Sequence, residues 1–307
     1  MPEGFDFVAQ VTTAASADDW VERCRRAERL GYSGISISDH LSGQLAPLVA
    51  LAAAAQVTER VTLGMNVLAN DFRHPAMLAK ELATLDLLSG GRVVAGIGAG
   101  WMTTDYTESG IPLDRPGIRI DRLLESVAIL RGLWADGPFT FAGTHYRITG
   151  LEGRPKPVQR PGPPVLIGGG ARRILTEAGR HADIVGIALD NRSGVMGERS
   201  GRSATAAAMR EKLGWIRDGA SGRATPPVCS VRVLLVAVVE DAWRAASDLG
   251  RPLGLDAAEV LESPHALIGE PQQIADVLAR RRDEFGITNY VVSQDAIEAL
   301  AAVLAVL

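Results

Sequence analysis

The feature that most constrains this chain is an unbroken alternation of short β-type runs and amphipathic helical stripes. Strand-type runs fall at residues 5–11, 34–38, 60–67, 92–98, 165–168, 183–187, 228–239 and 287–293. Helical stripes separate them at 16–30, 45–57, 75–88, 115–134, 172–180, 204–217 and 270–285, and a last one closes the chain at 296–307. Local signals agree with these boundaries. Ser16 stands where a helix N-cap is needed, Gly31 where a C′ glycine ends that helix, and Pro75 in a first helical turn. Strands that alternate with helices pair in parallel. Eight of them close a barrel, whereas an open doubly wound sheet rarely uses so many. The expected fold class is therefore α/β, a (β/α)8 TIM barrel, with loop insertions at the C-terminal face of the strands. The 307 residues suit one barrel domain, residues 1–307, since such barrels take roughly 250 residues before insertions. Residues 139–148 read as a small β-excursion. Residues 155–164 form a proline-rich connector, and the polar, glycine-rich residues 190–203 read as a lid or insertion loop.

Composition removes several functions. A formal net charge of −4, with both signs interspersed, offers no basic surface for nucleic acid. No stretch of about 18 apolar residues occurs, so no membrane span is expected. Residues 1–5 have no basic leader region. Two isolated cysteines, Cys24 and Cys229, make neither a disulfide framework nor a zinc site, which points to a reducing cytoplasm. No paired His or Cys spacing predicts a metal.

A barrel of this kind carries its chemistry at the C-terminal ends of its strands. That rule selects residues 10–12, 39–40, 66–70, 98–101, 168–171, 187–190 and 293–294. Asp39-His40 is the only acid–imidazole pair among them, and such a histidine can move a proton near neutral pH. The plainer alternative is that Asp39 caps the next helix and His40 bonds to the rim. Gly168-Gly169-Gly170-Ala171 joins a strand to a helix beside Arg172 and Arg173. That is a place for an anion, or else simply a tight turn. The Gly96, Gly98, Gly100 series lacks dinucleotide-binding spacing. Trp101 either packs or walls a flat ring pocket. His74, His145, His181 and His265 read as structural. No Ser/His/Asp arrangement is present, and Lys80, Lys156 and Lys212 fall in helices or connectors.

Several strings together are more specific than any one. They are Ser38-Asp39-His40-Leu41, Asn70-Asp71-Phe72-Arg73-His74-Pro75, Leu88-Ser89-Gly90-Gly91-Arg92, Gly96-Ile97-Gly98-Ala99-Gly100-Trp101, and Pro155-Lys156-Pro157-Val158-Gln159 leading to Val165-Leu166-Ile167-Gly168-Gly169-Gly170. Their order and spacing resemble the luciferase-like oxidoreductases, in the branch that uses the deazaflavin coenzyme F420. The likeness is close over residues 5–190 and extends to the rest as a fold. It implies a luciferase-like barrel in which Asp39 and His40 face the reactive side of the ring system. Asn66-Val67 then falls at a bulge held by a cis peptide that backs the ring. Gly98 and Trp101 belong to the same ring site, and Gly168, Gly169, Gly170, Ala171 and Arg172 bind the coenzyme phosphate. His40 becomes the expected proton donor. Asp39 is expected to hold the ring and, by its charge, to favour a protonated His40.

The resemblance also implies hydride transfer to or from a small organic substrate: reduction of an activated C=C or C=N bond, or alcohol oxidation in reverse. Trp101 falls where some sugar-phosphate dehydrogenases of the family carry a catalytic glutamate, which argues against sugar-phosphate oxidation. A homodimer through the apolar helix at residues 45–57 is expected, with a separate F420-reducing enzyme supplying reduced coenzyme. Two rivals remain, a two-component FMN-dependent monooxygenase and a non-catalytic coenzyme-binding protein on the same barrel.

Overall fold

The computed structural model describes residues 4–194 and 197–307. The reading of residues 1–5 and the middle of the 190–203 loop therefore fall partly outside the described residues. Eight parallel strands form a closed barrel: β1 (Asp6–Gln10), β2 (Gly34–Ile37), β3 (Thr62–Met65), β4 (Val93–Gly98), β5 (Val165–Gly169), β6 (Ile184–Ile187), β7 (Val228–Arg232) and β8 (Asn289–Ser293). Val8 lies opposite Gly34, and Asp6 opposite Asn289, so β1 is flanked by β2 and β8. Closure occurs between β3 and β4, where Leu63 meets Val93. The chain breaks after Met65, passes through a cis peptide at Asn66-Val67, and resumes as Leu68–Ala69 against Ile97 and Gly98. Gly96 permits this seam, because a Cβ there would lie 1.6 Å from the Met65 carbonyl oxygen.

Around the barrel run α1 (Ala17–Arg29), α2 (Pro47–Val57), α3 (Pro75–Ser89), α4 (Pro116–Trp134), α5 (Arg172–His181), α6 (Ala206–Ala220), α7 (Pro271–Phe285) and α8 (Ile297–Leu304). Each starts or stops where the chain supplies the chemistry. The Ser16 side chain accepts the Asp19 N–H at 3.1 Å, and the His74 ring accepts from Ala76 at the head of α3. Gly90 ends α3 in the left-handed conformation. The stripe Trp20, Cys24 and Ala27 turns α1 onto the sheet, where Ile35, Leu63, Ile167 and Val185 are fully buried. Truncating one of these to alanine costs about 2–5 kcal/mol.

Three features depart from the sequence reading. The run at 228–239 is two strands. β7 ends at Arg232, and Leu235–Val238 leaves the barrel to pair with Ala266–Gly269, a strand the sequence reading missed. A second, smaller apolar cluster that includes Leu255, Val260 and Ile268 fills the space beneath this pair. The stretch after β4 holds a short helix, Thr103–Ser109. The 190–203 segment contains another, Glu198–Arg202, and its ends are tied together by the Asp190 N–H to Ser203 Oγ bond at 2.8 Å. The β-excursion is an antiparallel hairpin of Phe139–Ala142 and Arg147–Leu151, as expected. Among the described residues no helix is long and apolar enough to cross a membrane.

Candidate active site

The C-terminal ends of the strands surround a cavity of about 720 Å³. Asp39, His40, Asn66, Val67, Gly98 and Trp101 line one side of it. Gly168, Gly169, Gly170, Ala171 and Arg172 line another. The two groups, far apart in sequence, thus share one chamber. Of the other rim positions picked from sequence, Gln10 braces the seam, its Nε2 donating to the Asn66 carbonyl at 3.1 Å. Gln294 ties β8 to β1 by accepting the Thr12 and Thr13 N–H groups.

His40 is held by an acid, but not by its neighbour. Its Nδ1 lies 2.7 Å from Asp105 Oδ2, and the other Asp105 oxygen accepts the Leu41 N–H at 3.2 Å. Trp101 meets the imidazole edge-on, with ring centroids 5.7 Å apart. A carboxylate on Nδ1 fixes that nitrogen as the N–H donor and leaves Nε2, which is not sealed from the cavity, to exchange a proton. Asp39 does something else. Its carboxylate forms a two-pronged ion pair with Arg73, one arm at 3.1 Å, and accepts the Ala69 N–H at 3.1 Å. Asp39 does not cap α2, whose N-cap residue is Ala46. Nor is it the acid that holds His40, since its oxygens are engaged by Arg73 and Ala69. It braces the wall just beyond the cis peptide.

The loop after β4 is locked from behind. Arg119 on α4 is buried and donates to the carbonyls of Ala99, Gly100 and Asp114. Tyr106 donates to Asp71 at 3.1 Å, and burial, then Asp71, pushes its hydroxyl pKa up. Gly100 has φ +74°, and a Cβ there would strike the Tyr106 hydroxyl at 1.8 Å.

The glycine run after β5 has packing reasons of its own. A Cβ on Gly168 would press on Val67 at 2.9 Å, one on Gly169 on Ile174 at 2.4 Å, and one on Gly170 on the Leu189 carbonyl at 2.0 Å. The glycines alone are therefore weak support for a phosphate. Better support lies beside them. The α5 N-terminus has no side-chain cap at Ala171, and exposed Arg172 has no ion-pair partner among the described residues. Arg173 is engaged by Asp121 and the Gly117 carbonyl.

Among the residues of this chamber that sequence reasoning missed are Asp105, Arg232 and His265. Ser230 and Arg232 project into it from the end of β7. His265 is buried, and its Nδ1 donates to the Arg232 carbonyl at 2.8 Å. Burial pushes its pKa down to about 3, so the ring is neutral. Two polar residues two positions apart, Ser230 and Arg232, inside an apolar run were the signal, since alternate strand residues share a face. Beside the 190–203 segment, buried Lys212 donates to the carbonyls of Ala188 at 2.8 Å and Ser203 at 2.7 Å, and burial pulls its pKa down to about 8.

A family model for luciferase-like monooxygenases matches residues 5–253. The chain belongs to that family. A relative described as F420-dependent glucose-6-phosphate dehydrogenase, from Amycolatopsis mediterranei, is 35% identical over 173 residues, 54% of this chain and 51% of its own. The chain thus spans about half the length of the curated relatives it matches. Two solved structures share the whole barrel. Monooxygenase RslO1 from Streptomyces bottropensis has a TM-score of 0.73 at 24% identity, over 98% of this chain and 96% of that one. The coenzyme F420 dependent tetrahydromethanopterin reductase from Methanopyrus kandleri has a TM-score of 0.77 at 18% identity, over 97% of each chain. These two establish the family's barrel as the fold of this chain.

Proposed function

We propose that the chain is an F420-dependent oxidoreductase that transfers hydride between the deazaflavin and a small organic substrate. The observation that carries this reading is a single chamber combining a positioned imidazole with an open anion site. His40 is oriented by Asp105 on one side, while the uncapped α5 N-terminus and Arg172 stand on the other. The F420-dependent relatives add support. The residues fit the coenzyme. Backbone N–H groups of α5 and Arg172 would hold its phosphate, and the seam at Asn66-Val67, with Gly98, would back its ring. When bound, the deazaflavin supplies hydride chemistry, because carbon replaces the reactive ring nitrogen of a flavin.

The chain's own residues then do four things. Trp101 and Val67 bound the ring site and help exclude water. Asp105 fixes the imidazole, and His40 Nε2 gives or takes the proton that accompanies the hydride. Asp39 and Arg73 hold the wall, and the tied 190–203 segment acts as a lid. The reduced product is a saturated C–C or C–N bond, or the reverse reaction oxidises an alcohol. Asp105 brings a carboxylate to the same site, with its oxygens engaged by the His40 ring and the Leu41 N–H.

We place the enzyme in the cytoplasm, consistent with the free thiols Cys24 and Cys229. A homodimer would cover the exposed Val49 of α2 and Met77 of α3, and an F420-reducing enzyme would supply reduced coenzyme. The rival with a specific observation behind it is an FMN-dependent monooxygenase, because a full-length structural relative is a monooxygenase. Anaerobic oxidation of reduced F420 by a panel of enones, imines and ketones separates the two. Substrate-dependent turnover without oxygen supports the proposal. Turnover confined to oxygen plus reduced FMN overturns it.

A further inference from the structure

The chamber's ionised groups are not treated alike. Asp105 is matched to His40, Asp39 to Arg73, Glu177 to Arg180, and Asp190 to Arg192. Arg119 is satisfied by three carbonyls and Arg173 by Asp121. Among the described residues, only Arg172 and Arg232 of the chamber's guanidinium groups have no hydrogen-bond or ion-pair partner. Arg172 is at the α5 terminus already assigned to the coenzyme phosphate. Arg232 lies elsewhere, at the end of β7, and its backbone carbonyl is pinned by His265.

The placement of Arg232 is unusual for an arginine. The residue is exposed overall, yet it lines the cavity, and burial of the group lowers its pKa with no carboxylate offsetting that effect. An unpaired guanidinium on a cavity wall is available to a bound anion. A second unmet group lies beside it. His265 Nε2 is buried with no hydrogen-bond partner, and because Nδ1 is the donor to Arg232, Nε2 is an acceptor. This corner of the chamber thus offers a positive fork, while His265 Nε2 is itself sealed from the cavity.

Resting on the reading of the chamber as a coenzyme-plus-substrate site, we propose that Arg232 anchors a carboxylate of the substrate, so that the enzyme acts on small organic acids. One planar guanidinium matches one carboxylate in a two-pronged bond. A phosphate dianion calls for more positive charge than this corner supplies. The only other ring here, His265, is neutral, and the Lys212 amine is directed to the Ala188 and Ser203 carbonyls. His265 is a positioning residue, since it fixes the strand end from which Arg232 departs.

The test uses benzoate, benzamide and phenyl phosphate as probes, titrated calorimetrically into the full chain with and without F420. The F420 affinity is measured on the same samples. The wild type is expected to bind benzoate at least about tenfold more tightly than benzamide, and Arg232→Met to erase that preference while leaving F420 affinity within about twofold. Arg232→Lys, which keeps charge but loses the fork, should retain part of the preference, and it serves if the methionine variant does not fold. Equal binding of benzoate and benzamide by the wild type overturns the proposal. So does loss of F420 affinity in Arg232→Met without any carboxylate preference, which would assign Arg232 to the coenzyme. Phenyl phosphate binding about tenfold more tightly than benzoate overturns the choice of carboxylate. Failure of the wild type to bind F420 would sink the coenzyme reading, whereas the benzoate–benzamide comparison on unloaded protein would still decide the role of Arg232.

Discussion

The two walls of the chamber are built on opposite plans. The wall from the ends of β2, β3 and β4 satisfies its charges internally. His40 meets Asp105, Asp39 meets Arg73, and Asp71 accepts from Tyr106 and forms an ion pair with Arg122 at 2.9 Å, without hydrogen-bond alignment between Asp71 Oδ1 and Arg122 Nε. The wall from β5 and β7 leaves Arg172, Arg232 and His265 Nε2 without partners. Closed networks hold a geometry still, and open charges recruit a ligand. On the function proposed above, the contrast would divide the labour: the first wall would position the proton, and the second would collect the anionic groups of coenzyme and substrate.

The sharpest way to break this contrast is His40→Gln. It should lower turnover with reduced F420 by roughly 10²–10⁴-fold while leaving F420 affinity unchanged. Full activity in the variant would move the proton to substrate or water. Next come two acids that line the same cavity. Asp105→Asn should cut turnover by up to about 10²-fold with little loss of stability. Asp39→Asn should instead cost about 2–4 kcal/mol in urea unfolding, since it strands a largely buried Arg73, with the figure discounted for that residue's partial exposure. If the two variants behave alike, the separation of roles is wrong.

On the open wall, Arg172→Met should weaken F420 binding about tenfold and flatten its salt dependence. An unchanged affinity would remove the phosphate from the α5 terminus. The smallest effect concerns acid stability. His265 has a native pKa of about 3, against about 6.5 unfolded. Between those values the unfolded chain binds a proton that the native chain does not, so stability falls as pH falls through that window. The denaturation midpoint of the wild type should therefore drop more steeply from pH 7 to pH 4 than that of His265→Gln. Parallel curves would mean His265 is protonated without penalty.

How much of this was legible depended on regularity. The barrel followed from alternating periods, because each strand is a short apolar run ended by glycine, proline or a capping residue. Asp39 and His40 stood out because strand two ends cleanly and the barrel rule points there. Asp105 did not, because Thr103–Ser109 is polar and only seven residues long, with no stripe to mark it as a helix. The partnership of Arg73 with Asp39 spans 34 residues and is set by how the β3 seam folds back. Arg232 was hidden by a boundary. The apolar run continues to residue 239, so the true end of β7 looked like mid-strand, and only the pairing of Leu235–Val238 with Ala266–Gly269 ends the barrel strand there. The glycine run was legible but over-read, since Val67, Ile174 and the Leu189 carbonyl already require it.

The most direct test of the central claim is equilibrium binding of F420 and, separately, of FMN to the purified protein, followed by fluorescence. The account predicts micromolar binding of F420, FMN binding weaker by at least about tenfold, and about tenfold weaker F420 binding in Arg172→Met. Preferential binding of FMN would contradict it and move the chemistry of this barrel to oxygen.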